Sequence, residues 1–140
     1  FQINAQWFWQ NPLPQGNTLV DVQFIDNMNG VAVGKYGTVL KTSTSGNSWI
    51  NQESSTIADL NAVFVIDNLN EIAVGAGGTI IVTTDGGNNW ASGTSGTSLN
   101  INAISFLNQL IGIAVGDAGL ILKTTDGGLN WNVINSGIIY

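Results

Sequence analysis

The sequence predicts an all-β protein, a β-propeller made of four-stranded antiparallel blades. This chain holds three blades plus one extra N-terminal strand, a partial propeller. The chain repeats itself every 41 residues, and a period of about 40 to 45 residues is typical of a four-stranded blade. The segments between its short apolar runs are rich in Gly, Asn, Ser and Thr, which is typical of strands joined by tight turns. Charged residues make up only 9% of the chain, which disfavours long amphipathic helices.

Identical residues recur in phase along the chain without any gap. The columns are a first glycine (Gly34, Gly75 and Gly116), a second glycine (Gly37, Gly78 and Gly119) and a tryptophan (Trp49, Trp90 and Trp131). This register places an N-terminal segment with an orphan outer strand near Trp9 at residues 1–16, blade 1 at 17–57, blade 2 at 58–98, and blade 3 with the start of the next linker at 99–140. Because propellers close with at least about four blades, the count predicts either a piece of a longer propeller or several chains that associate.

Each repeat is interpreted as four strands, a to d. In blade 1 they lie at about 20–25, 31–33, 38–42 and around Trp49. Runs such as 62–66 are apolar on both faces of the strand, as expected for a sheet packed between two others. The alternative is a solenoid of three-stranded coils, which typically has a shorter period.

The turn between strands b and c carries two glycines in every copy, as in 34–37 and 75–78. Paired glycines predict a tight hairpin in which both adopt the positive φ that other residues avoid. The Gly-rich segment 75–78 is not a phosphate-binding loop, because it runs into a strand and not into a helix N-terminus.

Composition argues against several functions. The net charge of −6, with three Lys and no Arg, makes nucleic acid an unsuitable partner. The chain has no Cys and no His, so we predict no catalytic residues, no metal and no cofactor. No apolar run approaches the roughly 20 residues that span a bilayer.

The N-terminal residues bear on localisation. A start without Met, and Ala5-Gln6 just before Trp7, suit a chain that has lost a leader, so we expect a secreted, cell-surface or periplasmic protein.

A motif lies between strands c and d. Two copies read Thr83-Thr84-Asp85-Gly86-Gly87-Asn88-Asn89-Trp90 and Thr124-Thr125-Asp126-Gly127-Gly128-Leu129-Asn130-Trp131. They resemble the Asp-box, S/T-x-D-x-G-x-x-W, of sialidase-type BNR repeats. We expect the Asp to accept backbone N–H bonds across the turn, and the Trp to cover the hairpin and the gap to the next blade. The residues assigned to this structural role are Thr83, Asp85, Gly87, Trp90, Thr124, Asp126, Gly128, Trp131, Thr42, Gly46 and Trp49.

The first copy departs from this motif, because Thr44 stands where the other copies have Asp. A hydroxyl is a weaker acceptor than a carboxylate, so we expect the turn at 42–49 to be the least rigid of the three.

The wider pattern, V-G-x-x-G-x-I-x-x-T-x-D-G-G-x-x-W, is similar to the repeats of the photosystem II stability and assembly factor family and of related secreted bacterial propellers. The resemblance covers residues 18–136. It implies a propeller that docks a protein partner, which that family does through a basic surface with arginines. This chain has no Arg, which counts against photosystem assembly in particular but not against the fold.

The sequence thus predicts a non-catalytic secreted or periplasmic propeller that serves as a protein–protein interaction or scaffold module. Its partner would be a protein or larger assembly, with further blades from a longer chain or an oligomer. One alternative is a carbohydrate-binding propeller, with Trp7, Phe8 and Tyr36 as the candidate ligand platform. The other is a fragment of a glycoside hydrolase whose catalytic residues lie outside this chain. Sialidase chemistry requires an arginine cluster, which this chain lacks.

Overall fold

Three four-stranded antiparallel sheets follow one another in chain order in the computed structural model, which describes residues 16–135 and 137. The first sheet contains β1 (Leu19–Phe24), β2 (Gly30–Gly34), β3 (Val39–Thr42) and β4 (Ile50–Gln52). The second contains β5 (Leu60–Val65), β6 (Glu71–Gly75), β7 (Ile80–Thr83) and β8 (Ala91–Ser92). The third contains β9 (Ile101–Phe106), β10 (Gly112–Gly116), β11 (Ile121–Thr124) and β12 (Asn132–Val133). The prediction of an all-β partial propeller is confirmed; the orphan strand near Trp9 lies outside the described residues.

Each sheet is a meander, because strands that follow one another within a sheet also pair with one another. The two innermost strands show the same register shift in all three copies, between Leu19 and Asp21 and at the equivalent places in the other sheets. The 41-residue repeat therefore extends from residue identity to hydrogen-bond register.

The second sheet is buried on both faces. One apolar cluster joins it to the first sheet and contains Val33, Val63 and Trp90 among others. A second cluster joins it to the third sheet and contains Ile72, Leu122 and Trp131. The outward faces of the first and third sheets are more exposed: Ile113 of the third sheet is 39% exposed, whereas the equivalent Ile72 is 1% exposed. Burial between neighbouring sheets explains why the strands of the second sheet are apolar on both faces.

Polar side chains of strand a connect neighbouring sheets near their innermost strands. The Asp21 carboxylate accepts a hydrogen bond from the Val63 backbone N–H at 2.9 Å, and the Gln23 side-chain oxygen accepts one from the Val65 N–H at the same distance. The Asn61 side chain donates to the Ile101 carbonyl at 2.9 Å. These directional bonds fix how the sheets are placed relative to each other, which apolar contact alone does not specify.

The turns between strands b and c differ from the prediction. The second glycine has positive φ, as in Gly37 at 68°, but the first is extended, with φ of −169° at Gly34 and −170° at Gly75. A Cβ at Gly34 would lie 2.1 Å from the Thr18 carbonyl oxygen. The first glycine is thus required by the close approach of another backbone segment and not by its own φ.

Among the described residues, no helix has the length and hydropathy that a membrane crossing requires.

Candidate functional site

The two Asp-containing turns between strands c and d share one arrangement of hydrogen bonds around the Thr and Asp side chains. The Thr83 hydroxyl donates to Asp85 Oδ1 at 2.9 Å and accepts from the Gly87 N–H at 3.0 Å. Asp85 Oδ1 also accepts from the Asn89 N–H at 2.9 Å, while Oδ2 accepts from the Asn89 side chain at 2.7 Å. Thr124, Asp126, Gly128 and Asn130 repeat this arrangement.

These hydrogen bonds also set the charge of the two carboxylates. The Asn130 backbone N–H, followed by its side chain, lowers the pKa of Asp126 to about 2. The Asn89 side chain and backbone lower the pKa of Asp85 in the same way. A carboxylate that is held ionised by donors within its own turn is a poor general acid. The geometry of both residues suits turn formation and not proton transfer.

In the first copy, Thr44 occupies the position of the missing Asp. Its hydroxyl accepts from the Ser48 N–H at 2.9 Å, as Asp85 accepts from Asn89. The Thr42 hydroxyl accepts from the N–H groups of Thr44 and Gly46 at 3.2 and 3.1 Å. The turn therefore keeps its geometry with neutral acceptors, and its lower rigidity stays a prediction.

The Asp126→Asn variant is expected to lower the free energy of unfolding at neutral pH by about 1 kcal/mol, allowing for solvent screening at an exposed turn. Because the folded pKa is depressed, the stabilisation by Asp126 is present above the ordinary pKa of 3.8 and is lost as the pH falls through about 2. Urea unfolding of both proteins across this range should therefore show a difference that shrinks in acid. Thr44→Asp, the reciprocal change in the first copy, should raise stability over the same range; a constant offset for Asp126→Asn at all pH values would contradict the assignment.

Trp90 packs in the direction opposite to the expected one. Trp90 of the second sheet belongs to the cluster shared with the first sheet, and Trp131 of the third belongs to the cluster shared with the second. Trp90 therefore packs against the preceding sheet and not the next one. Trp131 also packs against the preceding sheet, and the third sheet is the last that the structure describes. Trp131 also donates to the Gly128 carbonyl at 2.9 Å, and its ring meets Phe106 edge to face at 6.0 Å. Trp49 is only half-buried.

A buried ion pair crosses between the first and second sheets. The Lys41 ammonium lies 2.5 Å from Glu71 Oε1 and donates to the Gly86 carbonyl at 2.7 Å. Burial raises the pKa of Glu71, and Lys41 partly offsets that rise. The sequence did not predict this pair. It did contain one indication, because Glu71 is acidic at a repeat position where the other two copies have Gly30 and Gly112.

A groove of about 700 Å³ opens on the rim that carries the b–c turns, beside the first sheet. We call it the Tyr36 groove. Tyr36 and Ile57 project into solvent, being 72% and 89% exposed, and Glu53 in the same lining is also exposed. The lining consists of Asn17, Tyr36, Gly37, Thr38, Asn51, Gln52, Glu53, Ser54, Ser55, Thr56 and Ile57. Of the predicted ligand platform, Tyr36 lies in this groove, while Trp7 and Phe8 lie outside the described residues.

The backbone under Tyr36 is held in place. The Tyr36 N–H donates to Asp59 Oδ1 at 3.1 Å, and the Lys35 ammonium pairs with Asp59 Oδ2 at 3.0 Å. The Tyr36 N–H, followed by Lys35, lowers the pKa of Asp59. On the facing segment, the Ser54 hydroxyl donates to the Thr56 carbonyl at 3.1 Å. The groove is thus built on ordered turns, which suits a preformed binding surface.

Blade 1 departs from its own repeat at two positions in the groove. Tyr36 has φ of 56°, at a position where the other copies carry Gly77 and Ala118. Ser55 has φ of 60°, at a position where the others carry Gly96 and Gly137. A left-handed conformation costs about 1 to 2 kcal/mol for a residue with a side chain. Ser45, in the turn between strands c and d, also has a positive φ of 58°. The groove is the leading candidate because it combines two such residues with an exposed Tyr ring, and backbone strain occurs preferentially at functional sites.

A second depression, of about 300 Å³, lies on the opposite rim between the second and third sheets. Asp67 in its lining accepts hydrogen bonds from the N–H groups of Leu69 and Asn70, both at 2.9 Å. Asp126 is engaged in its own turn. Because its carboxylates are used in local turns, this depression offers fewer groups to a ligand than the Tyr36 groove. The described residues contain no group of three or more acidic side chains arranged to hold a metal ion.

Comparison with known proteins gives one family and several related structures. The family model described as photosynthesis system II assembly factor YCF48 matches residues 2–92 and 54–137. A structure of YCF48 bound to D1 peptide is 27% identical with a TM-score of 0.76, covering 86% of this chain and 40% of that one. YCF48 from Cyanidioschyzon merolae is 25% identical with a TM-score of 0.74, covering 87% and 41%. An ancestral GH74 enzyme is 21% identical with a TM-score of 0.67, covering 93% and 20%, a likeness of fold alone.

The chain therefore spans about 40% of the length of the YCF48 chains that it matches. No curated protein sequence matches it. The predicted resemblance to the photosystem assembly factor repeats is confirmed by the family model and by both YCF48 structures.

Proposed function

Because the chain belongs to the photosynthesis system II assembly factor YCF48 family, we propose that it acts as a non-catalytic propeller that binds a protein partner. One YCF48 structure is bound to a D1 peptide, which supports peptide recognition by this type of propeller. The described Asp85 and Asp126 carboxylates are engaged within their turns, which supports a role without acid–base chemistry.

The Tyr36 groove is the proposed contact surface. The observation that carries this assignment is the exposed Tyr36 ring on a strained backbone, at a position where the other copies avoid a large side chain. Loops on a rigid scaffold are the usual place for binding residues. An exposed Tyr also contributes large contact area at low entropic cost, as at other protein interfaces.

Further blades are proposed to cover the outward faces of the first and third sheets. Ile113 and Val115 of the third sheet are exposed, whereas the equivalent Ile72 and Val74 of the second sheet are buried by a neighbouring sheet. The YCF48 chains are more than twice as long as this chain, which supports a larger propeller. The low charge and the many Asn, Ser and Thr residues support a place outside the cytoplasm.

The binding proposal is tested by NMR titration of the isotope-labelled chain with a D1 peptide, a panel of unrelated short peptides, and a neutral oligosaccharide. We expect peptides to shift the amide signals of Tyr36 and Ile57 and the oligosaccharide to leave them unchanged. Tyr36→Gly, which restores the residue found in the second copy, should weaken peptide binding while keeping the fold. The control Leu110→Ala, on the opposite rim, should bind like the wild type.

Two results would contradict the proposal. Shifts at the groove with the oligosaccharide alone would support the carbohydrate-binding alternative. Peptide binding that survives Tyr36→Gly unchanged would place the contact surface elsewhere.

A further inference from the structure

The charges around the Tyr36 groove are unevenly distributed. Among the described residues that line it, Glu53 alone is charged. The neighbouring Asp59 is paired with Lys35, and Lys41 is committed to Glu71 between the sheets. Lys123 lies on β11, two repeats away. The groove therefore presents one uncompensated carboxylate, on a chain whose net charge is −6.

This charge is placed beside apolar surface. The exposed Tyr36 ring and Ile57 side chain lie in the same groove as Glu53. An aromatic face also attracts an ammonium or guanidinium group. A Lys or Arg with an apolar neighbour could use its charged end on Glu53 and its aliphatic stem on Tyr36, as long basic side chains do.

The backbone of the groove favours an extended ligand. Residues Asn51 and Gln52 of β4 line it, and β4 pairs only with β3 in the described sheet, so it forms the sheet edge. A strand at a sheet edge can accept an added extended segment, whose main chain supplies affinity while alternate side chains supply specificity.

We infer that the Tyr36 groove recognises an extended peptide segment in which a Lys or Arg stands beside an apolar side chain. Glu53 receives the basic group, and Tyr36 with Ile57 receives the apolar one. This inference rests on the proposed function, which it deepens by naming the chemistry of the partner. The groove would then carry a negative charge, opposite in sign to the charge of an arginine-bearing docking surface.

The test uses two short synthetic peptides that are identical except that one has Lys where the other has Glu, each beside a Leu. Affinities for the wild type, measured by fluorescence anisotropy, should favour the Lys peptide by about tenfold at low salt, and less at high salt. In the Glu53→Gln variant, the ratio of the affinities for the Lys and Glu peptides should fall to about one. Asp117→Asn removes the same charge from the b–c turn of the third sheet and should keep the preference.

Each outcome distinguishes the inference from the proposed function. Equal binding of both peptides, still weakened by Tyr36→Gly, would overturn the charge preference and leave protein binding at the groove intact. A preference for the Glu peptide, or a Lys preference that persists in Glu53→Gln, would overturn the inference. Binding of neither peptide, when the D1 peptide or another member of the panel shifts Tyr36, would overturn the inference alone. Failure of every peptide would overturn both.

Discussion

Gly75→Ala is expected to lower the free energy of unfolding by about 3 kcal/mol or more, enough to unfold a marginal chain. Gly75 ends β6 in the doubly buried second sheet, and an added Cβ would lie 1.9 Å from the Asp59 carbonyl oxygen. That oxygen belongs to the backbone and accepts the Ala76 N–H at 2.8 Å, so it cannot rotate away as a side chain would. The loss should appear as a lower midpoint in urea unfolding followed by tryptophan fluorescence.

Gly77→Ala is the matched control for this prediction. Gly77 lies two residues further in the same turn, has φ of 63°, and has no neighbouring atom within 4 Å of a built Cβ. Ala118 adopts the same conformation in the third copy, with φ of 53°. We expect a cost of about 1 kcal/mol from backbone strain alone. Equal losses for the two variants would show that the approach of the Asp59 carbonyl is not what requires glycine at position 75.

Lys41→Met is expected to lower the free energy of unfolding at neutral pH by about 3 kcal/mol, because it leaves the buried Glu71 carboxylate without its cation. Glu71 is 1% exposed, and its Oε2 atom has no hydrogen-bond partner among the described residues. The control Lys123→Met changes the equivalent, exposed position of the third sheet and should cost little.

The pH dependence follows from the raised pKa of Glu71. A carboxyl with a raised folded pKa contributes full stability below its unfolded value, near 4.5, and loses it as the pH rises through the folded pKa. Removal of Lys41 raises that pKa further. The difference between Lys41→Met and the wild type should therefore be small near pH 4 and widen towards neutral pH. The double variant Lys41→Met/Glu71→Gln should remove this pH dependence, and a pH-independent difference for Lys41→Met would contradict the explanation.

Short-range pattern was enough to predict much of the fold. The 41-residue period, the Gly columns and the alternation of apolar runs with turns gave the number of strands per sheet and their order, because these features depend on residues close together in the chain. The hydrogen bonds that Asp85 and Asp126 accept within the turns at 83–90 and 124–131 also come from residues of the same motif.

Predictions that required knowledge of the neighbouring sheet were weaker. The predicted packing direction of Trp90 was wrong, because a repeat has the same sequence whichever neighbouring sheet it faces. The extended conformation at Gly34 was missed, since its cause is the carbonyl of Thr18 in a distant segment.

The candidate site was predicted only in part. Tyr36 was selected as a ligand residue from its type and its place in a turn, but Glu53 and Ile57 were not grouped with it. They belong to the linker that follows strand d, and only folding of the first sheet brings that linker against the b–c turn.

Local sequence determined the repeat, the strand order and the chemistry of the turns, since each depends on side chains and backbone within a few residues. Tertiary structure alone decided the pairing of Lys41 with Glu71, 30 residues apart, and the meeting of Tyr36, Glu53 and Ile57 in one groove. The physical reason is that burial and charge pairing depend on how one sheet lies against the next, and a repeat period does not encode that placement.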